Sequence, residues 1–289
     1  MSDIALIGGN LGVQTKREEE GSGLPVGPLR LVSVLEEHGI SVDFKDYQTQ
    51  KIPQKVSENT FSKFIDVNHD VIGISVYCGA LPTVLGGIQK LKEEKPDKLV
   101  ILGGPSATDT PSEILENFPV DIIVIGEGEL TIVDLMKALD GEKDLREVPG
   151  IAYRENGRII INPRRERIKD LDSLPFPAYH KIDFEDYGSA ATLITSRGCP
   201  YRCGFCSAHS IWEHKMTYRS IDNVVEEIGQ VMNAVKRIVF TDDILLVDKK
   251  RTEKLCERFQ KEGIDVPWRC NGRVNYMTDS ILSKMVSSG

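Results

Sequence analysis

Along the first half of the chain, apolar residues recur in short β-branched runs separated by amphipathic stretches, the pattern of a parallel sheet covered by helices. Five runs read as strands: Ile4 to Ile7, Ser41 to Phe44, Val71 to Val76, Leu99 to Leu102 and Ile122 to Ile125. Leu31, Val34, Leu35 and His38 fall at i, i+3, i+4 and i+7, which predicts a helix ended by Gly39. A second helix from Leu81 to Lys92 carries Leu85, Ile88 and Leu91 on one face. Four strands run into small or flexible residues: Gly8-Gly9-Asn10, Ser75 to Gly79, Gly103-Gly104-Pro105 and Gly126-Glu127-Gly128-Glu129. In a doubly wound sheet such ends line the edge where ligands bind, and glycine lets a large ligand approach the backbone. Glycine also simply terminates such turns; it is four ends together that favour a site.

From Val148 to Tyr187 the pattern changes. Ile151 to Arg154 and Arg158 to Ile161 flank Asn156-Gly157, a hairpin signal, and Leu174-Pro175-Phe176-Pro177 reads as a stiff extended connector. The βα rhythm resumes with strands at Thr192 to Thr195, Arg237 to Thr241 and Val266 to Cys270. The helices between and after them present Val224, Ile228, Val231 and Val235, then Leu255 and Phe259, then Ile281, Leu282 and Met285. The predicted organisation is a first domain over 1–145, a linker with a hairpin over 146–190, and three βα units over 191–289. Three parallel strands are a poor independent fold, because a barrel buries its inner face only on closing. The C-terminus therefore reads as a cut, with Val266 and Trp268 expected to meet water.

Composition narrows the function classes. Lys plus Arg number 36 against 44 Asp plus Glu, for a net charge of -8, which argues against holding a nucleic-acid backbone by bulk electrostatics. The run Lys16 to Glu20 reads as a solvated loop. No stretch approaches the roughly 20 apolar residues of a membrane helix, and the N-terminus lacks a secretion pattern, so a cytoplasmic location is expected. Six cysteines are too few for a disulfide framework in a chain of 289 residues, and Cys78, Cys256 and Cys270 read as buried free thiols. The other three, Cys199, Cys203 and Cys206, crowd into one loop and point to a metal.

That loop reads Ser196-Arg197-Gly198-Cys199-Pro200-Tyr201-Arg202-Cys203-Gly204-Phe205-Cys206, directly after an apolar strand. Three thiolates spaced C-x3-C-x2-C can bind three irons of a cube and leave the fourth open for a ligand. With His209 they could instead complete a zinc tetrahedron.

The C-x3-C-x2-C loop with Phe205 before its last cysteine, after the first strand of a βα series, resembles the radical S-adenosylmethionine (SAM) superfamily. The resemblance implies that Cys199, Cys203 and Cys206 hold a 4Fe-4S cluster whose open iron chelates SAM, and that one electron cleaves SAM to methionine and a 5′-deoxyadenosyl radical. It also implies an electron donor such as flavodoxin or ferredoxin. Phe205 matches the aromatic near the adenine, Thr241-Asp242-Asp243 occupies the place of the segment contacting the SAM amino group, and Arg273 is placed to meet the SAM carboxylate.

The five-strand half, the Pro-Phe-Pro connector and the cysteine loop together resemble the radical SAM enzymes with a cobalamin-binding domain. The implied fold is α/β: a flavodoxin-like (Rossmann-like) cobalamin-binding domain followed by a partial radical SAM (β/α) barrel. Cobalamin is implied at the strand ends, at Gly8, Gly9, Asn10, Ser75, Tyr77, Gly103, Gly104, Gly126, Glu127 and Gly128. Ser75-Val76-Tyr77 and Gly103-Gly104 nearly match two of the elements of corrinoid-binding domains. The third, D-x-H-x-x-G, falls on Ser22 to Gly27 with Leu24 at the histidine, so cobalamin would lack that lower ligand. The two cofactors are expected to face each other across the domain interface.

In such a pairing an adenosyl radical abstracts hydrogen from an unactivated carbon and methylcobalamin supplies a methyl group. The implied activity is methyl transfer to a small molecule, with cyclisation or oxidation as the alternative on the same cofactors. A methylthiotransferase would need three further cluster cysteines in its N-terminal domain, which Cys78 alone does not supply. A non-catalytic corrinoid- or zinc-binding module is the remaining rival.

Overall fold

The computed structural model describes residues 3–9, 23–49, 57–77 and 79–289. Asn10, the run Lys16 to Glu20, Ser22 and Cys78 lie outside the described residues. Two compact units emerge, one built mainly from residues 27–167 and 177–181 with β1, the other from 168–176 and 182–289 with residues 23–26.

The first unit contains β1 (Ile4–Gly9), α1 (Val26–Glu37), β2 (Val42–Asp46), α2 (Glu58–Ile65), β3 (Val71–Val76), α3 (Leu81–Glu94) and β4 (Leu99–Gly103). It continues through α4 (Pro105–Asp109), α5 (Pro111–Asn117), β5 (Ile122–Val124), α6 (Glu129–Leu139), β6 (Ile151–Glu155) and β7 (Arg158–Ile161). The sheet order is β2-β1-β3-β4-β5-β6-β7, with the first five strands parallel. This is the flavodoxin-like order. Helices cover both faces, which is why Ile4 to Ile7, Ile72, Ile74, Val100 to Leu102 and Ile122 to Val124 are all buried and read as unbroken apolar runs. In α1 the buried stripe is Leu29, Val32, Val34 and Leu35. His38, expected on that face, is exposed beyond the helix end, its Nδ1 against the Val34 carbonyl at 2.8 Å. A Ser57–Thr60 capping box starts α2.

The stretch expected as an interdomain linker is divided between the units. Its hairpin forms at Asn156-Gly157, where φ is 49° and 75°, as a primed turn requires. The hairpin adds β6 and β7 antiparallel to the edge of β5, pairing Val124 with Ile151. Arg154 then donates to the Val120 and Phe118 carbonyls at 3.1 and 2.7 Å, and Asn162 to those of Leu145 and Val148, both at 2.7 Å. Further on, the Ala178 N–H donates to the Leu29 carbonyl at 3.0 Å, and Lys181 pairs with Glu36 at 2.9 Å.

The second unit contains β8 (Ala190–Leu193), β9 (Ser196–Arg197), α7 (Ala208–Trp212), β10 (Thr217–Tyr218), α8 (Ile221–Val231), β11 (Arg237–Phe240), α9 (Lys249–Lys261), β12 (Trp268–Cys270) and α10 (Asp279–Val286). β8, β11 and β12 pair in parallel in the order β12-β11-β8, and β9 and β10 form an antiparallel ribbon. β8 begins and ends two residues before its predicted span, because the Thr195 N–H donates to the Asp242 carboxylate instead of to a strand. Val224, Ile228 and Val231 bury one face of α8, while Val235 lies past its end. Ser220, Asp248 and Thr278 cap α8, α9 and α10. Val266 is buried and Trp268 half-buried, not in open water as expected: the indole packs edge-on against Phe240 and Phe259 at 5.6 and 6.0 Å and donates to the Ser288 carbonyl. Arg219 and Glu227 form a fully buried ion pair, with Arg219 also donating to the Ile194 carbonyl at 2.8 Å and to Asn223 at 2.7 Å. No helix among the described residues is long and apolar enough to cross a membrane.

Two stability experiments test this architecture. A chain ended at Leu145 bares the edge of β5 and loses the buried Val148, Ile151, Ala152 and Tyr153. It should unfold at lower urea than a chain ended at Arg167; equal midpoints would contradict a structural role for the hairpin. In the full chain, Glu227→Ala leaves Arg219 buried without its carboxylate, and the urea midpoint should fall by the equivalent of about 3–5 kcal/mol.

Candidate functional site

In the first unit the sequence-predicted positions gather where the parallel strands stop. Register places Gly8 beside Ser75 and Ser75 beside Gly103, one row across β1, β3 and β4, with Gly9 beside Val76 in the next row. Gly126, Glu127 and Gly128 follow β5 on the same edge and are half-buried, as are Ser75, Gly103 and Gly104. Tyr77, one residue beyond β3, is 51% exposed. Gly104 has a second reason to be glycine: its φ is 99°, and a Cβ would meet the Val76 carbonyl oxygen at 2.7 Å and nitrogen at 2.9 Å. Gly126 donates its N–H to Thr108 Oγ1 at 3.0 Å, and Thr131 Oγ1 donates to the Glu127 carbonyl at 3.2 Å. The edge thus offers a row of positions with little or no side chain, which fits a large planar cofactor lying against backbone. Leu24, at the place of the corrinoid histidine, belongs to the second unit, where it is buried and its N–H donates to Thr192 Oγ1 at 3.0 Å.

In the second unit the cysteine loop leaves the carboxyl end of β8 through β9. Cys199 and Cys203 are half-buried, Cys206 is exposed, and all are free thiols. Phe205 is 94% exposed. Gly198 sits at φ 97° with the Lys215 carbonyl oxygen 2.0 Å from where a Cβ would stand, so only glycine can precede Cys199. Tyr201 is held by a hydroxyl–hydroxyl bond to Tyr276, and the Arg273 guanidinium lies 4.0 Å over its ring with Nη1 3.8 Å from Cys203 Sγ. Arg273 therefore reaches the loop itself. Among the described residues no three His, Cys, Asp or Glu side chains converge on a single ion. His209, the fourth ligand of a zinc reading, instead holds Nδ1 2.8 Å from the Cys206 carbonyl oxygen and stacks on His214. A four-iron cube takes each cysteine at a different corner, and the three free thiols of this loop are the donor set it uses. Cys256 and Cys270 are poor ligand candidates, since burial raises both thiols, Cys270 to about 11.

Thr241, Asp242 and Asp243 follow β11 and divide in their roles. Thr241 is exposed, and its N–H donates to the Leu193 carbonyl at 3.0 Å. Asp242, expected to contact SAM, is 1% exposed and turned inward. Its Oδ2 accepts the Thr195 N–H at 3.0 Å, and its Oδ1 accepts the Thr195 and Ser196 hydroxyls at 2.8 and 2.5 Å. Burial raises its pKa against the pull of those hydrogen bonds. Asp243 is exposed and accepts the Gly198 N–H at 3.2 Å. Arg251, which the sequence reading passed over, donates to the Thr195 and Arg219 carbonyls at 3.0 and 2.8 Å. Neither its place in α9 nor its spacing marks it, because its partners lie 32 and 56 residues away.

Two family profiles match the chain: the B12 binding domain over residues 17–136 and the Radical SAM superfamily over residues 193–289. An uncharacterized methyltransferase of Pyrococcus horikoshii is 29% identical over 95% of this chain and 60% of its own length. The anaerobic magnesium-protoporphyrin IX monomethyl ester cyclase of Rubrivivax gelatinosus is 29% identical over 81% of the chain and 43% of its own. Among solved structures, the cobalamin-dependent S-adenosylmethionine radical enzyme OxsB, with aqua-cobalamin and S-adenosylmethionine bound, superposes with a TM-score of 0.77 at 21% identity, covering 100% of this chain and 43% of that one. The chain thus spans 60% or less of the length of these relatives. With a B12-binding domain on the flavodoxin-like sheet and a radical SAM domain on the cysteine-loop sheet, the chain belongs to the radical SAM enzymes that carry a cobalamin-binding domain.

Proposed function

We propose that this chain forms the cobalamin- and SAM-handling part of an enzyme that transfers a methyl group to an unactivated carbon of a small molecule. The observation that carries the reading is a loop of three free thiols, anchored at the end of β8, in a chain that also bears the B12-binding sheet. Together the bound groups supply radical hydrogen abstraction and a transferable methyl group. The protein's part is to bind and orient. Cys199, Cys203 and Cys206 would hold the cluster, and exposed Phe205 on the loop, with exposed Thr241 and Asp243 after β11, would contact SAM. Arg273, cushioned on Tyr201, would meet the SAM carboxylate. Gly8, Gly9, Ser75, Tyr77, Gly103, Gly104 and Gly126 to Gly128 would receive cobalamin at the first sheet's edge, with Asn10 completing the set. A cytoplasmic setting and a one-electron donor of the flavodoxin or ferredoxin kind belong to the same proposal. The cyclase relative favours a second reading, ring formation on the same cofactors, and product analysis separates the two.

Replacing Cys199, Cys203 and Cys206 together by alanine should abolish iron uptake and brown colour after anaerobic reconstitution with iron and sulfide. Retained iron, or stoichiometric zinc bound with His209, would refute the assignment. Bound cob(II)alamin should show no nitrogen superhyperfine splitting from a protein imidazole, because Leu24 stands at the histidine position. Such splitting would overturn the absence of a histidine ligand, and no corrinoid binding at all would remove the cobalamin part.

A further inference from the structure

Every residue from Thr195 to Gly198, the approach to Cys199, is held from outside the loop. Asp242 binds Thr195 through both backbone N–H and hydroxyl, and Ser196 through its hydroxyl. The Thr195 carbonyl accepts the Arg219 N–H and the Arg251 guanidinium, both at 3.0 Å. Ser196 and Arg197 pair with Tyr218 and Thr217, and Gly198 donates to Asp243. Asp242 is itself fixed, since Asn271 donates to its carbonyl at 3.4 Å and thereby ties in the end of β12. Beyond Cys199 the outside restraint thins to Tyr201, held by Tyr276, Arg273 and His214, while Pro200, Arg202 and Gly204 to Ser207 are exposed. A buried carboxylate with three donors is costly to remove and stiff while it stays.

We infer that Asp242 is a positioning residue that sets the approach to Cys199 before any cluster is present, and not a contact to SAM. The inference rests on the reading of the three cysteines as cluster ligands. Asp242 acts through the backbone N–H and hydroxyl of Thr195 and the hydroxyl of Ser196, so Cys199 would enter the site at a fixed place while Cys203 and Cys206 close on the irons from the rest of the loop. An asparagine in its place can keep the same pattern, its oxygen accepting the Thr195 N–H and its amide donating to the two hydroxyls, which reorient. Alanine keeps none of it.

The test is anaerobic reconstitution of the full chain with iron and sulfide, read as iron bound per chain and as the electron paramagnetic resonance spectrum of the reduced cluster. Asp242→Ala should lower cluster affinity by about 10-fold or more and broaden the spectrum, and Asp242→Asn should restore most of both. Ser196→Ala, which removes one donor and leaves the carboxylate its two Thr195 bonds, should give a smaller loss, and it serves as the decisive variant where Asp242→Ala does not fold. Full loading with an unchanged spectrum in the decisive variant overturns the inference. So does an Asp242→Ala chain that keeps its cluster but no longer binds SAM, which would make Asp242 a ligand contact. A wild-type chain that takes up no iron overturns the cluster reading, and this inference with it.

Discussion

Parallel pairing forbids tight turns, so each strand must be followed by a crossover that returns the chain to the start of the next. All carboxyl ends then fall on one edge, where the last N–H and carbonyl groups have no ladder partner and loops can open toward a ligand. Both sheets obey this constraint. In the first it brings Gly8, Ser75 and Gly103 into one row, although they are scattered over nearly a hundred residues of chain. In the second it sets the end of β8 beside the end of β11, and so the cysteine loop beside Asp242 and Asp243.

The second sheet combines a stiff base with an exposed tip. Its buried polar groups are held by complete sets of partners: Arg219 meets Glu227, and Asp242 meets the donors of Thr195 and Ser196 at the start of the loop. Burying a charge is costly unless its partners are complete, so these groups tolerate few arrangements of the surrounding backbone. Cys206 and Phe205 stand at the surface and Cys199 and Cys203 are half-buried, on the side of the loop that a cluster and a ligand would reach. Rigidity below and access above is the division of labour that a cofactor site requires.

The parallel strands of both sheets, the helices α1, α3, α8, α9 and α10 and the hairpin were legible in the sequence, because each rests on local signals: unbroken apolar runs, i, i+3, i+4 spacing and Asn156-Gly157 at the turn. Cysteine chemistry is a property of residue type and spacing, and parallel sheets announce themselves by burying both faces of every strand. Partnership over long separations was not legible. That the hairpin of Ile151 to Ile161 extends the first sheet depends on the open edge of β5. That Trp268 is sheltered depends on Phe240 and Phe259 arriving from two other elements. Asp242 marks the boundary most clearly. Its place after a strand pointed to the site, but whether the carboxylate faces a ligand or turns inward to hold the chain is decided by donors 46 and 47 residues away, which only the folded backbone brings within hydrogen-bonding distance.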